Sequence, residues 1–240
     1  MRSCPVCSSD FANFLPLTSQ YFEMLNALNA SYSLDDFETL NTGQYACPRC
    51  AASDRDRLYA LFVKTFLTRP AGRPLRILDI APAPLLSQFL RSIPDIYYRS
   101  ADLFSPLADD IVDIMDMQLY ADNSFDFIVC SHVLEHVPDD RKAIAELYRV
   151  LDKNGVAILM VPILLTAEYT DEDPDETDVN VRWARFGQDD HVRMYAKQDY
   201  MARIRDGGFE LLELDARSFG DGTFKQHGIT EQSVLYIGAK

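Results

Sequence analysis

Apolar and polar positions along the chain alternate short buried runs with amphipathic stretches from residue 75 onward. Leu75-Arg76-Ile77-Leu78-Asp79-Ile80 is an apolar strand pattern close to an acid, and Leu85, Leu86, Phe89 and Leu90 follow at helical spacing. Residues 96–103 (IYYRSADL) predict a second strand and residues 111–116 a third. Phe127-Ile128-Val129-Cys130 is apolar at every position, as a strand covered on both faces requires. Asp139 and Asp140, just after Pro138, suit a helix start, and Ile144, Leu147, Tyr148 and Leu151 recur at helical spacing. Arg149 and Lys153 suit the end of that helix, and Asn154-Gly155 predict its stop. Residues 156–161 form a further branched apolar run, and residues 162–194 follow as a long stretch without clear period, read as a loop. Residues 195–206 predict a helix stopped by Gly207-Gly208, and residues 209–214 and 233–238 predict two closing strands. The alternation predicts an α/β fold with right-handed crossovers and ligands at the carboxyl edge of its sheet.

The part before residue 75 reads differently. Residues 53–67 (SDRDRLYALFVKTFL) predict a helix capped by Ser53, with Asp54 and Asp56 in its first turn and Leu58, Leu61, Phe62, Thr65 and Phe66 on one stripe. Residues 70–74 (PAGRP) are a linker of helix and strand breakers. Upstream, Cys4-Pro5-Val6-Cys7 and Cys47-Pro48-Arg49-Cys50 are matching knuckles. Two thiolates two residues apart bite one tetrahedral zinc, and a second pair closes a four-sulfur site with no open position, hence structural Zn2+. Residues 21–28 between them predict an amphipathic helix that packs on the main domain or helps cover its site. The division expected is a zinc-binding N-terminal module over residues 1–69 and a main domain over residues 75–240. Arg55 and Arg57 are read as a solvated or ion-paired helix face, or alternatively as a grip on an anionic substrate group.

Charge narrows the partners. The net charge is −14, while the first 74 residues carry seven basic against seven acidic side chains, so the excess lies in the remainder. A domain that acidic repels phosphate backbones and anionic membranes. No apolar run reaches bilayer length, the first residues (MRSCPVCSSD) lack an apolar stretch of signal-peptide type, and cysteines grouped as CxxC fit a reduced setting. The expectation is a cytoplasmic protein with a small-molecule partner, without nucleic acid or membrane.

The run CSHVLEHVPDDRKAIAELYRVL, with its VLEHV pentad, acidic helix start and RVL before a glycine, resembles the fourth-strand region of class I S-adenosylmethionine (SAM) dependent methyltransferases of the type 11 sort. The resemblance extends over roughly residue 75 to the C-terminus. It implies a Rossmann-like, mostly parallel sheet closed by a C-terminal antiparallel hairpin. It implies SAM as cofactor, with Asp79 ending the first strand and Asp102, next to Leu103, accepting two hydrogen bonds from the ribose diol. Asp113, preferred over Asp116, would take the adenine amino group with Ile114 against the ring. Cys130, Ser131 and His132 would line the methionine end, Cys130 being equally readable as a plain buried thiol. The family's glycine-rich first turn is here Ala81-Pro82-Ala83-Pro84, without glycine, so Ala81 must let the cofactor approach. The CPxC knuckle followed by Arg-x-Arg, and later FGQxDHVRxY, resemble a zinc-bearing subset found in glycan and secondary-metabolite pathways.

These implications set the chemistry expected. A methyl on a sulfonium is already activated, so the protein must align an acceptor, exclude water and take a proton from a hydroxyl. His191 follows two acids, so it is read as the base with Asp190 as its orienter; the alternative for this pair is a helix cap or loop anchor. His132 is a second catalytic candidate, and His136 is read as a structural histidine at the helix edge. Arg185 and Arg193 would bind polar or anionic parts of the acceptor. The expected activity is O-methylation of a small polar acceptor such as a sugar, glycan or secondary-metabolite precursor. The alternatives are an RNA methyltransferase docked by the zinc module, with Arg2, Arg49, Arg55 and Arg57 as its contacts, and a non-catalytic binding protein on the same fold.

Overall fold

The structure, a computed structural model, describes residues 1–28 and 30–240. In chain order the elements are β1 (Arg2–Ser3), β2 (Asp10–Phe11), α1 (Ser19–Ala27), α2 (Asp54–Thr65), β3 (Leu75–Ile80), α3 (Pro84–Arg91), β4 (Ile96–Asp102) and β5 (Asp110–Ile111). Then follow β6 (Phe125–Ser131), α4 (Asp140–Val150), β7 (Leu151–Met160), β8 (Asp171–Glu172), α5 (Val179–Phe186), β9 (Arg193–Met194), α6 (Lys197–Asp206), β10 (Glu210–Leu214), α7 (Ala216–Phe219), α8 (Thr223–His227) and β11 (Leu235–Ala239).

The main sheet has seven strands in the order β10-β11-β7-β6-β3-β4-β5. Pairing is parallel from β7 to β5, and β11 runs antiparallel to both β10 and β7. The expected mixed sheet with its closing antiparallel hairpin is therefore present. Chain order runs outward from β3 through β4 and β5, then resumes on the other side with β6 and β7. The crevice at the carboxyl ends of β3 and β6 is thus a topological switch point, where such sheets take ligands. Phe127, Ile128 and Cys130 are fully buried, as their unbroken apolar run requires. Phe62 of α2 stacks on Phe127 with ring centroids 6.1 Å apart, so this N-terminal helix covers one face of the sheet.

Four local expectations need correction. Helix α4 ends at Val150, and Asn154 and Gly155 lie inside β7 rather than stopping a helix. Gly155 is there for contact: a Cβ on it would sit 2.8 Å from Leu151 Cδ1 and 3.0 Å from the Asp126 carbonyl, where β7 shifts register against β6. The third strand is only two residues, and the C-terminal helix begins at Lys197, leaving Tyr195 outside it. Residues 162–194 are an organised segment, holding α5 and the β8–β9 ladder.

The N-terminal segment is stitched to the main sheet at several points. Glu38, only 2% exposed, accepts from Lys197 Nζ and Tyr236 Oη at 2.7 Å each. Phe37 bridges to Leu164, and Glu38 N–H bonds to the Ile163 carbonyl. Leu25, Leu34 and Phe37 bury against Leu164, Phe186 and Met194, a small second core that seats the insert on the segment after β7.

Candidate functional site

Three cavities open along the carboxyl edge of the sheet, and His132 lines all three. The first, about 310 Å³, lies over the ends of β3 and β4 and is walled by Ala81, Asp102, Leu103, Asp113, Ile114 and His136, among others. The second, about 340 Å³, lies between β3, β6 and the start of α2, with Asp79, Ala81, Ser131, Tyr59 and Arg55 in its wall. The third, about 110 Å³, is a chamber roofed by the N-terminal insert, where Leu34, Phe37 and Leu40 face Ile163 and Phe186. Polar groups converge on it from Tyr45, Arg55, His132, Gln188 and His191.

Each expected cofactor residue except one reaches these walls. Asp102 Oδ1 accepts from the N–H groups of Phe104 and Ser105 at 2.7 Å, leaving Oδ2 without a partner among the described residues. Asp113 Oδ1 accepts from Met115 N–H, and Asp116 lies outside the cavity walls. Asp79 is 1% exposed, and its Oδ2 accepts from Tyr98 Oη at 2.6 Å and Ser87 Oγ at 2.8 Å. Burial outweighs those two donors and pushes its carboxyl up to about 6. Ser131 Oγ pairs with Tyr59 Oη at 2.7 Å. Cys130 is the exception: fully buried in the main core, it reaches none of the three cavities, and burial raises its thiol far above the usual range. The glycine-free turn leaves the cleft open, because Ala81 and Ala83 line it and neither Pro82 nor Pro84 does. Ala81 takes φ +48°, the left-handed conformation glycine adopts freely, and His132 takes φ +57°.

His132 is held neutral near pH 7. Burial comes first and the Arg55 charge second, and together they lower its pKa to about 4. Its Nδ1 lies 3.2 Å from Glu135 Oε1, close enough for attraction but too poorly aligned for a formed hydrogen bond.

The residues expected to serve the acceptor are rearranged. His191 is 3% exposed, with Nδ1 at 2.8 Å from the Phe186 carbonyl; that carbonyl orients it, and Asp190 does not. Asp190 instead faces His136, Oδ2 to Nδ1 3.2 Å. Arg193 is 1% exposed and donates to the Leu134, Val137 and Pro138 carbonyls and to Glu172. It is a clamp on the loop after β6 and offers nothing to an acceptor. Arg185 is occupied by Asp171 and Asp173 on the β8 segment. Arg57 is fully buried and donates to the carbonyls of Gln44, Tyr45, Ala52, His227 and Gly228. Arg55 is the reverse: it lines two cavities, and its guanidinium has no bonding partner among the described residues. Glu135 and His136, read as family letters and helix edge, stand beside His191; the signal available in the sequence was the His132-x-x-Glu135-His136 spacing.

The four N-terminal cysteines meet. Cys4 and Cys50 Sγ are 3.8 Å apart, Cys7 and Cys47 Sγ 3.9 Å, and all four lie within 4.8 Å of one another. A tetrahedral zinc with arms of about 2.3 Å has sulfur–sulfur edges of about 3.8 Å, so the donor set fits that ion.

Comparison with known proteins agrees with the fold. Residues 87–159 match a family model described as "Methyltransferase domain". No curated protein matches. Among solved structures, the 4+2 cyclase SpnF superposes with a TM-score of 0.53 at 17% identity, covering 95% of this chain and 97% of that one. An S-adenosylmethionine dependent methyltransferase from Mesorhizobium loti gives 0.46 at 13% identity, covering 77% of this chain and 98% of that one. The CurJ carbon methyltransferase gives 0.49 at 13% identity over 77% of this chain; the present chain spans 54% of its length. The chain thus carries a methyltransferase domain match over residues 87–159 on a methyltransferase-like α/β fold.

Proposed function

We propose that the protein is a SAM-dependent methyltransferase acting on an acceptor held in the chamber beneath the N-terminal insert. The observation that carries this reading is the meeting of three cavities at His132, two over the switch point of the sheet and one beyond it. SAM supplies a methyl group already activated on a sulfonium. The free oxygen of Asp102 supports a ribose contact, Asp113 and Ile114 an adenine contact, and the unpaired guanidinium of Arg55 a grip on the amino-acid carboxylate. Zinc in the four-cysteine cluster would fix the ends of the insert that roofs the chamber, and the thiol-rich cluster supports a reducing, cytoplasmic setting.

The chamber is mostly apolar, which supports an acceptor with an aromatic or aliphatic body and one hydroxyl, as in a secondary-metabolite precursor, over a free sugar. The neutral imidazole of His132 is the group we assign to take the hydroxyl proton, with anionic Glu135 beside it to stabilise the cation formed. Of the four arginines the RNA-methyltransferase alternative would use, Arg57 is buried and Arg2 bonds the Lys225 carbonyl, which leaves Arg49 and Arg55 and weakens that reading. Among the described residues no helix is long and apolar enough to cross a membrane. SpnF, a cyclase by its name, illustrates a different chemistry on this fold, and a failure to bind SAM would favour a reading other than methyl transfer. Calorimetry with SAM and with its demethylated product should show saturable one-to-one binding. Absence of heat, with no rise in melting temperature, sinks the proposal.

A further inference from the structure

A cluster of three histidines and one glutamate sits beside the cleft, and the methyl-transfer reading uses only His132 and the charge of Glu135. Glu135 is fully buried, yet neither carboxylate oxygen has a formed hydrogen bond among the described residues; the nearest donor, His132 Nδ1, lies misaligned at 3.2 Å from Oε1. His191 is buried as well, and its Nε2 has no partner among the described residues. A buried carboxylate without a formed hydrogen bond and a buried imidazole lone pair without a partner are each costly, which favours a ligand that satisfies both. One ligand atom each from Glu135, His136 and His191 lies within 4.8 Å of the other two.

The supporting contacts fix these groups in a ligating form. His191 Nδ1 meets the Phe186 carbonyl at 2.8 Å, so it carries the proton and leaves Nε2 as a donor of its lone pair. His136 has the Asp190 carboxylate 3.2 Å from Nδ1, the carboxylate–histidine pairing that orients metal-bound imidazoles. The two rings stand edge to face with centroids 4.6 Å apart. The backbone is locked as well: Val192 N–H donates to the Glu135 carbonyl, and Arg193 clamps the carbonyls on either side of that turn.

We propose that Glu135, His136 and His191 form a second metal centre, for one divalent first-row transition ion, distinct from the four-cysteine cluster. Two imidazoles and one carboxylate suit such an ion and leave coordination positions open. His136 lines the cavity over β3 and β4 and His191 lines the acceptor chamber, so the ion would sit between them. An acceptor oxygen could then ligate it directly. The site stands whether or not the chain transfers a methyl group.

The probe is Co2+, titrated into purified full-length protein whose cysteine cluster stays loaded with zinc. The expected result is one saturable equivalent with visible d–d absorption and no sulfur-to-metal charge-transfer band. His136→Gln should abolish it. Asp190→Asn, a change at an exposed side chain that leaves the three ligands in place, should weaken it by roughly 10–100-fold. No saturable uptake by the wild-type protein, or uptake unchanged in both variants, overturns the proposal.

Discussion

Arg55 and Arg57 stand two residues apart on α2 and face opposite ways, so replacing each by alanine should fail in opposite ways. Arg57 is fully buried, donates five hydrogen bonds to carbonyls from three separate segments, and lies 3.9 Å above the Phe14 ring. Bonds to a charged donor contribute roughly 1.5–3 kcal/mol each, but the loops relax and water regains some carbonyls, so we expect Arg57→Ala to cost about 4 kcal/mol. Arg57→Lys should recover only part of that, because one ammonium has three donors for five acceptors. Arg55→Ala removes a guanidinium without partners among the described residues, and stability should stay within about 1 kcal/mol of wild type. Its effect should appear in SAM affinity, a loss of roughly 10–100-fold if the carboxylate is held by one charge-assisted contact. Urea unfolding followed by far-UV dichroism measures the first quantity and calorimetry the second. The reasoning is refuted if Arg57→Lys matches wild-type stability, or if Arg55→Ala unfolds early while keeping its cofactor affinity.

Asp79 predicts a pH effect. Its folded pKa of about 6 lies above the ordinary 3.8, so the fold favours the protonated form. Its contribution is fully present below about pH 4 and is lost as pH rises through 6, roughly 3 kcal/mol at the limit. Asp79→Asn should flatten the melting-temperature profile between pH 4 and 6 and raise the melting point at pH 7; an unchanged slope would remove burial as the cause. Ala81→Gly should relieve the left-handed strain at φ +48° and stabilise the protein by about 0.5–1 kcal/mol in thermal melts, whereas destabilisation would mean that the methyl packs usefully.

Much of this architecture was readable from the sequence, for reasons that show where reading stops. The buried run of β6, the Ser53 cap of α2 and the paired CxxC knuckles are local signals, and local physics fixes them. Helix α5 was missed although Asp178 caps it and Gly187 ends it at φ +89°, both legible marks. Eight residues are too few to hold a helix alone, and what holds this one is Phe186 buried against Leu34 and Phe37, far away in sequence. Gly155 looked like a helix stop because a glycine required by strand crowding is the same letter as one required by a cap. The two arginines of α2 were indistinguishable on the page, since only the tertiary fold decides which one meets carbonyls and which one meets a cavity. The unmet oxygens of Glu135 are likewise invisible without neighbours to count.

The ceiling of the chamber comes from a segment whose two ends meet at Cys7 and Cys47, while the floor comes from the loops after β6 and β7 and from the end of α5. Insertions or replacements between those pins can reshape what fits without moving Asp102, Asp113 or His132. On the proposed function, the layout separates the part that would hold the cofactor from the part that would shape the acceptor. A lineage, or an engineer, could exchange that span like a cassette and alter the acceptor while the donor half stays as it is.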